Sequence, residues 1–205
     1  MSFSSLLRIN SALDELLARV RPLLAVVQNG RRGAGAGVLA GDGWVLTNYH
    51  VVTRGRLFKV TLDNGASYQD RVLSRDPEVD LALLVIPANG YPAAVFSEKE
   101  ARPGEMVFAF GHPWGQRNVL TGGVLSAVTE ARTRRGEIPL LRTDARLAPG
   151  NSGGPLLNAA GEVIGLNAMI FGGDQGIAIP ASVIRTFLNA VRKSMSVTVI
   201  PEGVL

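Results

Sequence analysis

Gly150-Asn151-Ser152-Gly153-Gly154-Pro155-Leu156 is the stretch on which the reading of this chain turns. A serine hydroxyl is a weak nucleophile at neutral pH. One that does chemistry needs a base beside it and N–H donors aimed at the charge it creates. Glycines around Ser152 suit that demand, because without a Cβ they reach unusual backbone conformations and let a carbonyl approach the main-chain amides. Two other readings fit the local pattern as well. Residues 150–154 satisfy G-x-S-x-G, the strand-to-helix elbow of the α/β-hydrolases, and Asn-Ser-Gly-Gly is an ordinary turn composition.

The remainder of the chain narrows the choice. It holds only two histidines, His50 and His112, and both precede Ser152. The elbow requires the order serine, acid, histidine, so it fails. The order His, Asp, Ser remains, and it belongs to double-β-barrel proteases. His50 lies in Thr47-Asn48-Tyr49-His50-Val51-Val52, at the end of an apparent strand where a side chain can be presented at a sheet edge. His112, in Gly111-His112-Pro113-Trp114-Gly115, reads as a structural residue of a turn. Asp80 stands directly before Leu81-Ala82-Leu83-Leu84. A carboxylate beside a buried strand calls for a hydrogen-bonding partner, which makes Asp80 the candidate to orient a base. Asp76, followed by Pro77, is accounted for by a turn start.

At 205 residues, 46% hydrophobic and 19% charged, the chain fits one globular domain or two small sub-domains sharing a core. Its 24 glycines and 11 prolines favour many short elements and a mostly β fold. The net charge is +4, but Arg31-Arg32, Arg54, Arg56 and Arg134-Arg135 are dispersed and lack interleaved aromatics, which suits solvated loops and argues against nucleic acid. The absence of cysteine excludes disulfides, thiolate metal sites and a cysteine nucleophile. Met1 to Asn10 have no basic segment leading into an apolar run, and Asp14, Glu15, Arg19 and Arg21 interrupt the apolar residues up to Pro22. Neither a signal peptide nor a membrane span is expected, and the chain as it stands is expected to be cytoplasmic.

Leu6, Ile9, Leu13, Leu16, Leu17 and Val20 recur at helical spacing, and Pro22 ends the pattern. A short apolar run at 23–27 leads into a Gly-rich turn through Gly30, Gly33, Gly35 and Gly37. Strands are expected at 38–40, 44–47, 57–62, 71–73 and 81–86, with hairpin turns at Asp42-Gly43 and Asp63-Asn64-Gly65. After a polar hinge at 97–104 the strand rhythm resumes at 106–110, 119–125, 140–142, 163–167 and 176–179, with a basic loop at 132–137. Val183, Ile184, Phe187, Leu188 and Val191 then mark one face of a C-terminal helix.

Thr47-Asn-Tyr-His-Val-Val52, Asp76-Pro-Glu-Val-Asp-Leu-Ala-Leu-Leu84, Thr121-Gly-Gly-Val-Leu-Ser-Ala127, Thr143-Asp-Ala145, Gly150 to Leu156 and Gly176-Ile-Ala-Ile-Pro180 run in one order over residues 22–190. In that order they resemble the HtrA/Deg type of trypsin-like serine protease. The resemblance implies two perpendicular six-stranded antiparallel β-barrels with a cleft between them. It divides the chain into an N-terminal helix (1–21), an N-terminal barrel (22–96), a linker (97–104), a C-terminal barrel (105–180) and a C-terminal helix with its tail (181–205).

By the same resemblance His50 is the general base, Asp80 its orienter and Ser152 the nucleophile. The N–H groups of Gly150 and Ser152 form the oxyanion hole, with Asn151 assisting. Arg146 falls at the base of the specificity pocket and opens an acidic preference, whereas Leu147 beside it favours small or medium aliphatic side chains. Asn167-Ala168-Met169-Ile170 is similar to the strand edge to which a substrate backbone adds. The implied activity is hydrolysis of unfolded or flexible polypeptides through an acyl-enzyme, as in protein quality control, with no metal and no organic cofactor. The alternative on the same scaffold is a catalytically silent polypeptide-binding, chaperone-like module. Such proteases commonly form trimers through N-terminal residues, so the first helix serves either a homotrimer or its own barrel in a monomer. The sequence departs from the family in three places. His112 replaces the Asn of its Gly-Asn-Pro loop, and neither the PDZ domain nor the export segment usual in the family is expected within these 205 residues. A periplasmic or tethered location is expected if the chain is a protease domain cut from a longer protein.

Overall fold

In a computed structural model of the chain, residues 3–28, 30, 33–53, 55–87, 90–171 and 175–197 are described. Helix α1 (Phe3–Val20) leads into β1 (Leu24–Gln28), β2 (Ala34–Leu39), β3 (Trp44–Asn48), β4 (Phe58–Leu62), β5 (Ser67–Asp70), β6 (Val72–Asp76) and β7 (Leu81–Val85). The second set comprises β8 (Met106–Gly111), β9 (Val119–Thr133), β10 (Gly136–Thr143), β11 (Pro155–Asn158), β12 (Val163–Phe171) and β13 (Gln175–Pro180), closed by helix α2 (Ala181–Val197).

The second set is a closed antiparallel barrel in the order β10-β13-β12-β11-β8-β9. The first set is a curled seven-stranded sheet, β5-β4-β1-β2-β3-β7-β6, where six strands were expected. The extra strand comes from one edge segment divided at Arg71. Its first part pairs with β4 and its second with β7 at the opposite edge, so the covalent chain joins the two ends of the sheet. The mostly β architecture with a helix at each end is as expected.

Why Leu81 to Ile86 is apolar throughout is clear from the packing. Strand side chains alternate faces, and both faces of β7 are covered. Ala82, Leu84 and Ile86 point into the interior of the first sheet with Val45, Phe58, Val60 and Leu62. Leu81 and Leu83 point the other way, into a core shared with Phe108, Phe110, Leu157 and Leu166 of the second barrel. Strand β8 splits likewise, Val107 and Ala109 filling the barrel interior while Phe108 and Phe110 join the shared core. Leu16 and Val20 of α1 and Ile184, Phe187, Leu188 and Val191 of α2 complete that core. The shared core is what fixes one half against the other. Truncating a fully buried member such as Leu83 to Ala is expected to cost about 2–5 kcal/mol.

Three local expectations change. Gly35 and Gly37 belong to β2, not to a turn. Their role is close approach: a Cβ on Gly35 would come within 2.8 Å of a Val51 methyl and 2.9 Å of the Ser152 carbonyl, and one on Gly37 within 2.7 Å of Val45. The basic loop shrinks to Arg134-Arg135 between β9 and β10, whose alternating exposed residues form a projecting hairpin arm. Strand β11, which begins at the last two residues of the Gly150–Leu156 motif, was not anticipated. By contrast, Asp42 (φ 54°) and Gly43 (φ 71°) make the expected two-residue hairpin turn, of type I′.

Candidate active site

Strand β3 ends in a short 3₁₀ turn, Tyr49–Val52, which carries His50. Asp80 holds that turn at four points. Its carbonyl accepts from Tyr49 N at 3.0 Å and Asn48 Nδ2 at 3.1 Å. Its carboxylate accepts from His50 N at 2.9 Å (Oδ1) and meets His50 Nδ1 at 2.8 Å (Oδ2). Asp80 occupies the left-handed region (φ 52°), unusual for a residue with a Cβ, and the grip on residues 48–50 is what holds it there. A carboxylate only accepts, so Nδ1 carries the proton and Nε2 of the neutral ring is left as an acceptor. Asn48, which supplies one of these bonds, was not singled out from the sequence.

Ser152 sits in the loop ahead of β11, docked on the first sheet. Its carbonyl accepts from Ala36 N at 2.8 Å, and Gly35 separates that carbonyl from Val51, the neighbour of His50. The Ser152 hydroxyl donates to the Ala168 carbonyl at 2.8 Å. Gly153 (φ 85°) has no room for a Cβ, since Ala36 O and Thr47 Oγ1 occupy that space.

The turn before Ser152 is defined by Ala148-Pro149-Gly150-Asn151. Asn151 N donates to Ala148 O at 3.0 Å, and Gly150 has φ 109°, the marks of a type II turn with Pro and Gly at its centre. Pro149 O accepts from Trp114 N at 2.8 Å and Gly150 O from His112 N at 3.2 Å. In a trans peptide the N–H points opposite to the C=O, so the Gly150 N–H faces away from the Trp114 loop. Among the described residues neither the Gly150 nor the Ser152 N–H donates to a protein acceptor. Asn151 was expected to assist these donors, but its N–H is committed within the turn, and its side-chain oxygen is buried without a partner.

A cavity of about 270 Å³ adjoins Ser152, lined by Leu147, Ala148, Pro149, Asn151, Ala168 and Met169. Leu147 forms part of it and packs on Gly176, where a Cβ would come within 2.9 Å of the leucine. Arg146 is absent from the lining: its side chain is exposed, and its carbonyl accepts from Thr121 Oγ1. Asn167 is also absent, fully buried with Nδ2 donating to Pro155 O at 3.0 Å. The Ala168 to Ile170 backbone continues β12 past the end of its pairing with β11, and Ala168 is the bulge in its pairing with β13. One side of that segment is therefore an open strand edge. The Ile170 side chain lies outside the described residues.

His112 is 3% exposed and accepts from Asn118 N at Nδ1 (3.2 Å). Burial, reinforced by the charge of Arg117, pushes its pKa down to about 4 against the opposing effects of the Ala25 backbone and Asp63, so the ring is neutral.

The site thus consists of a histidine gripped by an aspartate and a serine loop with two unspent N–H donors. Residues 35–166 match the model of the trypsin-like peptidase domain. The chain belongs to that family. It is 36% identical over 186 residues to a probable periplasmic serine endoprotease, DegP-like, of Marinomonas sp., covering 87% of this chain and 40% of that protein. It is 40% identical over 157 residues to the putative serine protease HhoB of Synechocystis sp., covering 73% and 38%. With serine protease HTRA1 of Xenopus tropicalis it shares 38% over 157 residues, covering 74% and 34%. This trypsin-like peptidase chain thus spans two fifths or less of those relatives. The crystal structure of the serine endoprotease from Yersinia pestis superposes with a TM-score of 0.78 at 30% identity, covering 87% of this chain and 65% of that one.

Proposed function

We propose that the chain is a serine endopeptidase that hydrolyses unfolded or flexible polypeptides. His50 takes the proton of Ser152 through Nε2, Asp80 holds the ring and stabilises the imidazolium, and the acyl group passes to Ser152 and then to water. The N–H groups of Gly150 and Ser152 receive the oxyanion. The observation that carries the reading is the pair of bonds from the Asp80 carboxylate to the His50 backbone and ring, 2.9 and 2.8 Å, which leaves Nε2 as the basic atom. Attack requires the Ser152 hydroxyl to turn from the Ala168 carbonyl toward that nitrogen.

The substrate backbone adds to the open edge at Ala168 to Ile170, and its side chain enters the cavity floored by Leu147, which suits small or medium aliphatic residues. The exposed Arg146 leaves acidic residues without a partner in that cavity. Protein quality control is the role that the resemblance to the HtrA/Deg type implies for such an endopeptidase. Leu6, Leu7 and Ile9 of α1, each about half exposed, support a homotrimer through the N-terminal helix.

Labelling with a fluorophosphonate followed by peptide mass spectrometry tests the core of this reading. The adduct is expected on Ser152 and nowhere else. Folded protein that takes no label there, or takes it equally after His50→Ala, refutes the assignment.

A further inference from the structure

The proposed oxyanion turn is held by a loop, residues 112–118, that is tied to the other half of the molecule as well as to itself. Residues 112–118 contain two non-glycine residues in the left-handed region, Trp114 (φ 54°) and Asn118 (φ 61°). Trp114 is 75% exposed, so its side chain gains little burial to offset that conformation. Yet its N–H ties back the Pro149 carbonyl at 2.8 Å and thereby aims the Gly150 N–H at the cleft. Rotation of the Pro149–Gly150 peptide would put a carbonyl where a donor is needed.

Beyond its internal bonds, the loop is anchored to the other half of the molecule. Asp63, in the turn between β4 and β5, accepts from Asn118 Nδ2 at 2.9 Å and from Arg21 Nε, just past α1, at 2.9 and 3.0 Å through its two oxygens. Alongside, Arg117 Nη2 donates to Leu62 O at 2.9 Å. Burial works against the Asp63 charge, but the hydrogen bonds from Arg21 and Asn118 and the charges of Arg21 and Arg117 outweigh it, and the carboxyl stays ionised below its ordinary range. Asn118 is the far end of the loop, and its N–H meets the buried His112 that begins it.

We propose that Asp63 is a positioning residue for the oxyanion turn: held by Arg21, it locks Asn118, and through the 112–118 loop keeps the Pro149–Gly150 peptide in the donating orientation. The inference rests on the peptidase reading for its effect on rate, but its conformational part stands by itself. Asp63 touches neither substrate nor reacting atoms, so its influence falls on the transition state and spares substrate binding.

The test uses the full chain with Asp63→Ala, Asn118→Ala, the double variant and Asp63→Asn, which keeps an acceptor for Asn118. One lost oxyanion donor costs about 100- to 1000-fold in kcat, so partial loss in Asp63→Ala is expected to lower kcat about 10- to 100-fold while KM moves less than about threefold. A peptide boronate, which forms the tetrahedral adduct, should lose affinity in parallel, and the matching free peptide should not. Asn118→Ala should match Asp63→Ala, the double variant should add nothing, and Asp63→Asn should restore most of the rate. Hydrogen exchange supplies a readout independent of activity. The Trp114 amide is expected to exchange at least about tenfold faster in Asp63→Ala, with the Ala36 amide unchanged. Unchanged Trp114 exchange overturns the proposal, as do wild-type kcat in Asp63→Ala, additive single variants or equal losses in kcat and free-peptide affinity. A wild-type chain without turnover refutes the peptidase reading instead, and the exchange experiment then still decides the role of Asp63.

Discussion

Acid should weaken the fold through His112, and the effect can be sized. The ring is almost wholly buried and resists protonation down to about pH 4, chiefly because burial disfavours the charged form and Arg117 stands beside it. In the unfolded chain the same ring takes a proton near its ordinary 6.5. Between those values the unfolded state holds a proton that the folded state lacks. Stability from this source is therefore complete above 6.5, falls as pH drops through the window and levels off below 4. Each tenfold rise in proton concentration costs about 1.4 kcal/mol, or roughly 3 kcal/mol across the window.

Urea unfolding of the wild type and His112→Asn between pH 8 and 4.5 measures it. An Asn Oδ1 can take the place of Nδ1 as acceptor for the Asn118 N–H, so the variant keeps that bond but does not titrate. The Asp63 carboxyl, lowered from 3.8, acts only below this range. The difference in unfolding free energy between the two proteins should shift by roughly 2–3 kcal/mol in favour of the variant by pH 4.5. Parallel curves would refute the claim that His112 is buried neutral.

Gly150→Ala places a methyl against the His112 carbonyl at φ 109° and is expected to slow fluorophosphonate labelling of Ser152 by at least about 100-fold; labelling at the wild-type rate counts against the turn as oxyanion site. Leu147→Ala deepens the cavity beside Ser152 and should shift kcat/KM about tenfold toward larger apolar side chains in a peptide library, whereas an unaltered profile places the specificity cavity elsewhere. Asp80→Asn is expected to cost about 10⁴ in kcat with little change in KM, read from steady-state kinetics, because the amide favours the wrong tautomer of His50.

Chain order and local pattern were enough to single out His50, Asp80 and Ser152 as candidates, because each stands in a segment whose strand character or turn chemistry is written in neighbouring residues, and the structure joins the first two by hydrogen bonds. The apolar run after Asp80 located its strand, and Pro149-Gly150 located the turn. What escaped is what depends on contacts distant in sequence. Gly35 and Gly37 look like turn residues until β2 is set against Val51, Ser152 and Val45. Asn167 looked like a substrate contact because it adjoins Ala168, but its backbone is bonded to Gly153 and Gly154 and its side-chain amide is spent on Pro155. Arg146 has the right spacing from Ser152, but its side chain is exposed and outside the cavity lining, while its carbonyl accepts from Thr121. The long arm of β9 and β10 carries an exposed alternation too polar to advertise a strand. Its tip makes sense only beside Asp76 and Glu78, which receive Arg135 and Arg134.

The division of one edge segment at Arg71 has its own mechanical meaning. Strands β5 and β6 sit at opposite ends of the first sheet, and the exposed arginine between them is the clasp that keeps those ends together. A single backbone nick there would remove no core residue and no side chain of the candidate site. It would free the two outer strands to peel away, baring the N–H and C=O rows of β4 and β7 to any extended chain nearby. Limited digestion at Arg71 should thus convert a self-contained molecule into one that templates strand addition, with sedimentation, more than lost core packing, as its first symptom.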